Sequence, residues 1–164
     1  MLTSLFNIEK HALITFIASF LVWFMVGGVL YFWMFRRKFR FGEVASIFLA
    51  VLSAWIISEA LKRIFPTQRP FVVSGQDPLT LTWPLDSSFP SAHASSAFAL
   101  ALSLRKSNKR LFFLYFIFAI IVSLGRVVSR VHYVVDVFAG AFIGILTFFI
   151  LEKLGMERFF KKIL

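Results

Sequence analysis

From Ala12 to Phe35 the chain carries no charged side chain, and roughly 20 consecutive apolar residues are enough to cross the hydrocarbon of a bilayer. This stretch is too long for a signal-peptide core and no basic segment precedes it, so it reads as a retained transmembrane helix. It is not alone. Further apolar segments run from about Val44 to Ile64, Ser91 to Leu104, Leu111 to Gly125 and Tyr133 to Leu151. With 59% of 164 residues hydrophobic, the chain has more apolar side chains than a soluble domain of this size can bury. The expected fold is therefore all-α: a polytopic membrane helical bundle of about five transmembrane helices, forming one integral membrane domain over residues 1–164. The segments 91–104 and 111–125 are short for full spans, and packing inside the bundle is one way to accommodate them. There is no internal repeat and no low-complexity tract.

Between the second and third segments the texture changes. Residues 65–90 contain all five prolines (Pro66, Pro70, Pro78, Pro84, Pro90) together with Gly75, Asp77, Asp86, Ser87 and Ser88. Such a stretch reads as an irregular loop outside the hydrocarbon. Five crossings place the polar breaks on alternating sides. One side then carries Arg36, Arg37, Lys38, Arg40, Arg105, Lys106, Lys109, Arg110, Lys153, Arg158, Lys161 and Lys162. The other carries Lys10, Lys62, Arg63, Arg69, Arg126 and Arg130. The positive-inside rule makes the first side cytoplasmic. The amino terminus, the proline-rich loop and the segment Arg126–His132 are expected to face outward.

Composition excludes several chemistries. Cysteine is absent, which removes disulfides, thiolate nucleophiles and Cys-ligated zinc. Eight Asp and Glu make a multi-carboxylate metal cage a poor fit, so no metal and no cofactor is expected. The 18 Lys and Arg suggest charge sorting at a membrane before they suggest nucleic acid. The clusters at Arg36–Arg40 and Arg105–Arg110 read as anchors on anionic lipid.

Three polar patches fall on the outward side. The first is Lys62, Arg69 and Pro70, spaced K-x6-R-P. The second is Pro90, Ser91, Ala92 and His93. The third is Arg126, His132 and Asp136, spaced R-x5-H-x3-D. Lys62, Arg69 and Arg126 offer fixed cationic donors, and Ser91 with the free N–H groups at a helix start offers neutral ones, a set suited to a phosphate group. His132 and Asp136 are four apart and share a helix face, so the carboxylate can hold one ring nitrogen and leave the other nucleophilic. His93 is then available as the acid for the leaving oxygen and as the base for water. Such a cationic cradle neutralises phosphoryl oxygens without a metal.

In this order and on one membrane face, these patches resemble the phosphatidic acid phosphatase type 2 superfamily, which also includes bacterial acid phosphatases and vanadium-dependent haloperoxidases. The match covers residues 62–136. The resemblance implies a helical bundle that hydrolyses phosphate esters or diphosphates. It assigns phosphate binding to Lys62, Arg69, Ser91 and Arg126, acid catalysis to His93, nucleophilic attack to His132 and its orientation to Asp136. Two positions depart from the family pattern: Ala92 stands where glycine is usual, and Gly125 where serine is usual. The membrane members commonly have six helices. Five are counted here, the first being without a counterpart, which sets the amino terminus outward.

The expected substrate is a lipid phosphate at the outer face of a prokaryotic plasma membrane, with undecaprenyl diphosphate as first choice. Phosphatidylglycerol phosphate, phosphatidic acid and lipid A phosphate are the alternatives, and a channel or transporter subunit with an anion site is the non-enzymatic one. Membrane lipids are the expected partners. Oligomeric state is not legible. Arg63 and Arg130 fall outside the motif spacing and read as interfacial anchors. Glu59 is expected to pair with a neighbouring cation, and Gly140 with Gly144 to serve close packing within the bundle.

Overall fold

The computed structural model describes residues 2–36 and 39–163, with side chains from 11 to 160 within those ranges. Arg37 and Lys38 lie outside the described residues, as do the side chains of Lys10, Lys161 and Lys162. Every described element is a helix: α1 (Leu2–Met34), α2 (Phe41–Ile64), α3 (Pro70–Ser74), α4 (Ala92–Ser103), α5 (Lys109–Val128), α6 (Val134–Lys153) and α7 (Met156–Ile163). Four of them contain stretches long and apolar enough to cross a membrane: His11–Met34, Phe41–Ile64, Lys109–Val128 and Val134–Lys153. Their outer faces carry Phe20, Trp23, Ile56, Ile117, Phe138 and Phe142, all exposed. A soluble fold would hide such side chains; here they are the surface offered to lipid.

The fifth expected span differs from the others. α4 has 12 residues and rises only about 18 Å. It survives at that length because protein, not lipid, surrounds it. α2, α5 and α6 all pack against it, and every residue from Ala94 to Leu102 is buried. Its alanine- and serine-rich sequence permits this close approach. Ser95 sits against α2, with its hydroxyl 2.8 Å from Ser58 Oγ and 3.3 Å from the Ala54 carbonyl. On the opposite side come Gly140 and Gly144 of α6. A Cβ on Gly140 would run into the Ser91 carbonyl, and one on Gly144 into the Ser95 carbonyl. The glycine pair thus serves packing within the bundle and fixes the depth of the α4 amino terminus.

Local signals explain most boundaries. Ser91 caps α4 by accepting from the Ala94 N–H at 3.5 Å, and Asn108 caps α5 by accepting from Leu111 at 3.0 Å. Asp136 reaches back to the Tyr133 N–H at 2.8 Å and closes the first turn of α6. Within the proline-rich loop, Pro70 starts the short α3 and Gly75, at φ 66°, ends it. Three elements exceed the sequence expectation: α1 begins well before Ala12, α3 interrupts the loop, and α7 is an amphipathic helix beyond the last span.

The charges segregate by end. Lys62, the start of α4, Arg126 and the start of α6 share one end of the bundle. Arg40, Arg105, Lys106, Lys109, Arg110, Lys153 and Arg158 occupy the other, where Arg105 and Lys106 pair with Glu152 at 2.9 and 2.6 Å.

Candidate active site

At the first end a cavity of about 310 Å³ lies between α1, α2, the loop before α4 and the carboxyl end of α5. Lys62, Arg69, His93, Arg126 and His132 line it, with Glu59, Asp86, Trp23 and Trp55. Five of the seven site residues expected from sequence therefore face one space. The other two stand behind it. Ser91 is fully buried and its hydroxyl serves as the α4 cap, so the donors it brings to the cavity side are the N–H groups of the helix start. Asp136 is 2% exposed and ties three segments together. Its carboxylate accepts from the Tyr133 N–H and from the Ser88 hydroxyl, while its carbonyl accepts from the Ser91 N–H at 3.0 Å.

His132 follows directly from this scaffold. The chain leaves α5 in a tight turn in which the N–H groups of Val131 and His132 both reach the Arg126 carbonyl, at 3.3 and 3.2 Å. The ring is thereby placed beside the guanidinium that opens the turn. Nδ1 lies 3.5 Å from Asp136 Oδ2 and, buried, makes no hydrogen bond, so the carboxylate acts on the ring in this state through its charge and proximity. Nε2 points the other way, 3.5 Å from Arg69 Nη1, and is the nitrogen presented to the cations. Burial, chiefly, pushes the imidazole down to about 4, with Arg126 and Arg69 adding to the effect and Asp136 opposing it. The ring is neutral at ordinary pH.

The cations differ in how completely they are satisfied. Arg69 is 3% exposed and donates to the carbonyls of Asp86 (2.9 Å), Val131 (2.7 Å) and Ser87 (3.1 Å), and to Asp86 Oδ1 (2.8 Å). Lys62 donates to Glu59 Oε1 at 2.8 Å and to Asp86 Oδ2 at 2.5 Å; the expected pairing of Glu59 is with Lys62. Arg126 donates through Nη1 to the Ala18 carbonyl of α1 at 2.8 Å, but its Nε is buried without an acceptor. Of the two remaining cations on this side whose side chains are described, Arg63 is exposed. Arg130, expected as an interfacial anchor, also has a partner within the protein. It adopts φ 64° in the turn after α5 and donates to the Asp77 carbonyl at 3.1 Å, pinning the proline-rich loop.

Sequence reasoning did not single out Asp86 and Ser88. Both lie in the stretch that reads as irregular loop, although a carboxylate five residues before Ser91, in a chain with eight Asp and Glu, is a usable signal.

A bundle of four long apolar helices with a cationic, two-histidine cavity at one end defines a multi-pass membrane protein. The model of the PAP2 superfamily matches residues 43–159, and the chain belongs to that superfamily, the phosphatidic acid phosphatase type 2 group. It is similar to the bacitracin transport permease protein BcrC of Bacillus licheniformis, with 26% identity over 137 residues, 84% of this chain and 68% of that protein. It is also similar to the undecaprenyl-diphosphatase of Sulfolobus acidocaldarius, with 32% identity over 124 residues, 75% of this chain and 58% of that one. Among solved structures, Aquifex aeolicus LpxE superimposes with a TM-score of 0.69 at 27% identity, covering 88% of this chain and 84% of that one. The first transmembrane PAP2 type phosphatidylglycerolphosphate phosphatase from Bacillus subtilis gives 0.63 at 25% identity, covering 95% and 77%.

Proposed function

We propose that this chain is a membrane phosphatase that removes phosphate from a lipid phosphate monoester or diphosphate, with undecaprenyl diphosphate as the substrate of first choice. The observation that carries the reading is the convergence of Lys62, Arg69 and Arg126 with the Nε2 face of His132 and with His93 on one cavity. In the proposed reaction the three cations and the α4 N–H groups hold the phosphoryl oxygens. His132 Nε2 attacks phosphorus and the bond to the leaving oxygen breaks. Burial first, and then Arg126 and the other cations, hold His93 well below the ordinary imidazole range in the empty site. The proton it gives to that oxygen is therefore taken up with the arriving phosphate dianion, whose charge offsets those cations. His93 then takes a proton from the water that cleaves the phosphohistidine. Asp136 keeps Nδ1 as the protonated nitrogen throughout. The charge that a metal would bring is supplied by the side chains, and no three His, Cys, Asp or Glu come together as a ligand set among the described residues.

A lipid substrate is supported by the cavity's position beside exposed Trp23 and Trp55 on α1 and α2, which gives a head group a route from the bilayer. The relatives named for an undecaprenyl diphosphate and for a phosphatidylglycerolphosphate mark the range of head groups to compare. The deciding experiment measures phosphate release in detergent from undecaprenyl diphosphate, phosphatidylglycerol phosphate, phosphatidic acid and a lipid A phosphate. Turnover should survive EDTA and be inhibited by vanadate. Loss of activity on chelation, restored by magnesium, would refute the metal-free scheme, and no release from any lipid would favour the transport reading that one relative's name carries.

We also propose that the site faces away from the cytoplasm of a prokaryotic cell, because the basic residues gather at the opposite end of the bundle. The chain has no cysteine, so single cysteines report without background. Gln76 and Ser107 are both exposed, and Gln76 is a better probe position than the neighbouring Gly75, whose positive φ a side chain would strain. A membrane-impermeant thiol reagent should label intact cells carrying Gln76→Cys and spare those carrying Ser107→Cys; the reverse pattern would invert the topology.

A further inference from the structure

The cavity that gathers the cations also holds a carboxylate for which the proposed reaction has no use. Asp86 stands in the loop before α4 and bridges two of them, Oδ2 at 2.5 Å from Lys62 and Oδ1 at 2.8 Å from Arg69. Its side chain is 43% exposed, against 9% and 3% for the two cations. A carboxylate in such a place is either a buttress that holds the cations or an occupant that takes the position of a ligand.

Three observations favour the occupant. Arg69 does not need the carboxylate, because the carbonyls of Asp86, Ser87 and Val131 already fix its guanidinium. Lys62 does not need it either, since Glu59 holds its ammonium from one turn away. Arg126, in contrast, keeps a buried Nε with no acceptor. A planar carboxylate thus serves two of the three cations and leaves the third short of an acceptor. A tetrahedral phosphate has the oxygens to serve all three. The anchoring of the loop also separates backbone from side chain. The Asp86 carbonyl is held by Arg69 Nε at 2.9 Å, independently of the carboxylate. The latter is 43% exposed and, among the described residues, free of any backbone hydrogen bond that would have to break for χ1 to turn.

We propose that Asp86 is an internal competitor for phosphate, its carboxylate occupying Lys62 and Arg69 while the site is empty, leaving as a phosphoryl group arrives, and returning as inorganic phosphate departs. The competition does not fade with pH in the working range. Burial acts to raise the carboxyl, but hydrogen bonds and charge from Lys62 and Arg69 outweigh it and hold it at about 2. The consequence is weak retention of product: each phosphate that leaves is replaced at once by a tethered anion, so the enzyme is protected from inhibition by the phosphate it makes. This inference rests on the phosphatase reading and adds to it a device that sets how tightly the site holds an anion.

The test is the inhibition constant of inorganic phosphate against lipid phosphate hydrolysis in detergent, for the parent, Asp86→Asn and Asp86→Glu. Asparagine keeps the shape and removes the charge. Phosphate should inhibit the asparagine variant at least about tenfold more tightly, equivalent to about 1.4 kcal/mol, and the glutamate variant should return toward the parent value. Asp86→Ser carries the same expectation and stands in if the asparagine variant does not fold. An unchanged or weaker inhibition in the uncharged variants would overturn the proposal, because a buttress that is removed loosens the cations and loses phosphate. A parent protein that releases phosphate from no lipid would instead overturn the phosphatase reading, and this proposal with it.

Discussion

Alanine in place of His132 should reduce kcat/KM for every lipid phosphate by roughly 10⁴ to 10⁶ and leave no phosphoenzyme to trap. The size follows from what remains. The cationic cradle would still bind and polarise the phosphoryl group, and such residual stabilisation commonly preserves some rate over water when a nucleophile is lost. The proposed nucleophile has no substitute: the cavity contains no cysteine, and the other histidine that lines it is His93. The measurement is a rapid acid or base quench of a single turnover with phosphorus-labelled lipid, followed by a count of label on protein. Activity within tenfold of the parent would mean that water attacks directly and that no covalent intermediate forms.

The same residue predicts a pH dependence of stability, with its sign set by burial. In the unfolded chain an imidazole titrates near 6.5, whereas His132 in the folded protein is held at about 4. Below 6.5 the unfolded state binds the additional proton, so stability falls as pH drops from 6.5 toward 4 and changes little from this source above 6.5. The loss over the whole window is on the order of 3 kcal/mol. Thermal unfolding in detergent at pH 7 and 4.5 should therefore show a larger drop for the parent than for His132→Gln. Equal drops would mean that His132 is more accessible to protons than its 2% exposure implies.

How much of this was legible in the sequence depends on the range of the interaction. Length and charge spacing revealed the four long helices because a membrane reads those properties directly. The third apolar segment was harder. Its shortness was legible, because the basic run from Arg105 ends it, but which neighbours bury it, namely Gly140, Gly144, Ala54 and Ser58, is a tertiary fact. The candidate site residues could be picked out because each patch is local and carries its own chemistry, a histidine four from an aspartate or an arginine before a proline, and five of the seven line one cavity. What escaped were residues whose meaning lies in a distant partner. Ser88 matters through Asp136, 48 positions away. Asp86 matters through Lys62 and Arg69, 24 and 17 positions away. Arg130 looked like a lipid anchor because no local signal points to the carbonyl of Asp77, 53 positions earlier. Ser91 marks a helix start, as its sequence position suggests, and its hydroxyl accepts from the Ala94 N–H of that helix.

The importance of His93 should depend on the leaving group, and that dependence separates a monophosphate enzyme from a diphosphate one. An alkoxide leaving a phosphate monoester is strongly basic and needs a proton in the transition state, a service worth about 10² to 10⁴ in rate. A lipid phosphate leaving a diphosphate is far less basic and makes a smaller demand. His93 lines the cavity opposite the carboxyl end of α5, at the first turn of a helix whose position is locked by Gly140, so removing its ring should leave the cradle standing. Single-turnover phosphoenzyme formation isolates the first step from the second, in which His93 is also proposed to activate water. For His93→Ala the monophosphate should lose at least roughly tenfold more rate than the diphosphate, about 1.4 kcal/mol of additional transition-state stabilisation. His132→Ala should make no such distinction, because both substrates lose the nitrogen proposed to attack. Equal losses on the two substrates for His93→Ala would assign the proton to water or to another group, and would leave His93 with the second step alone.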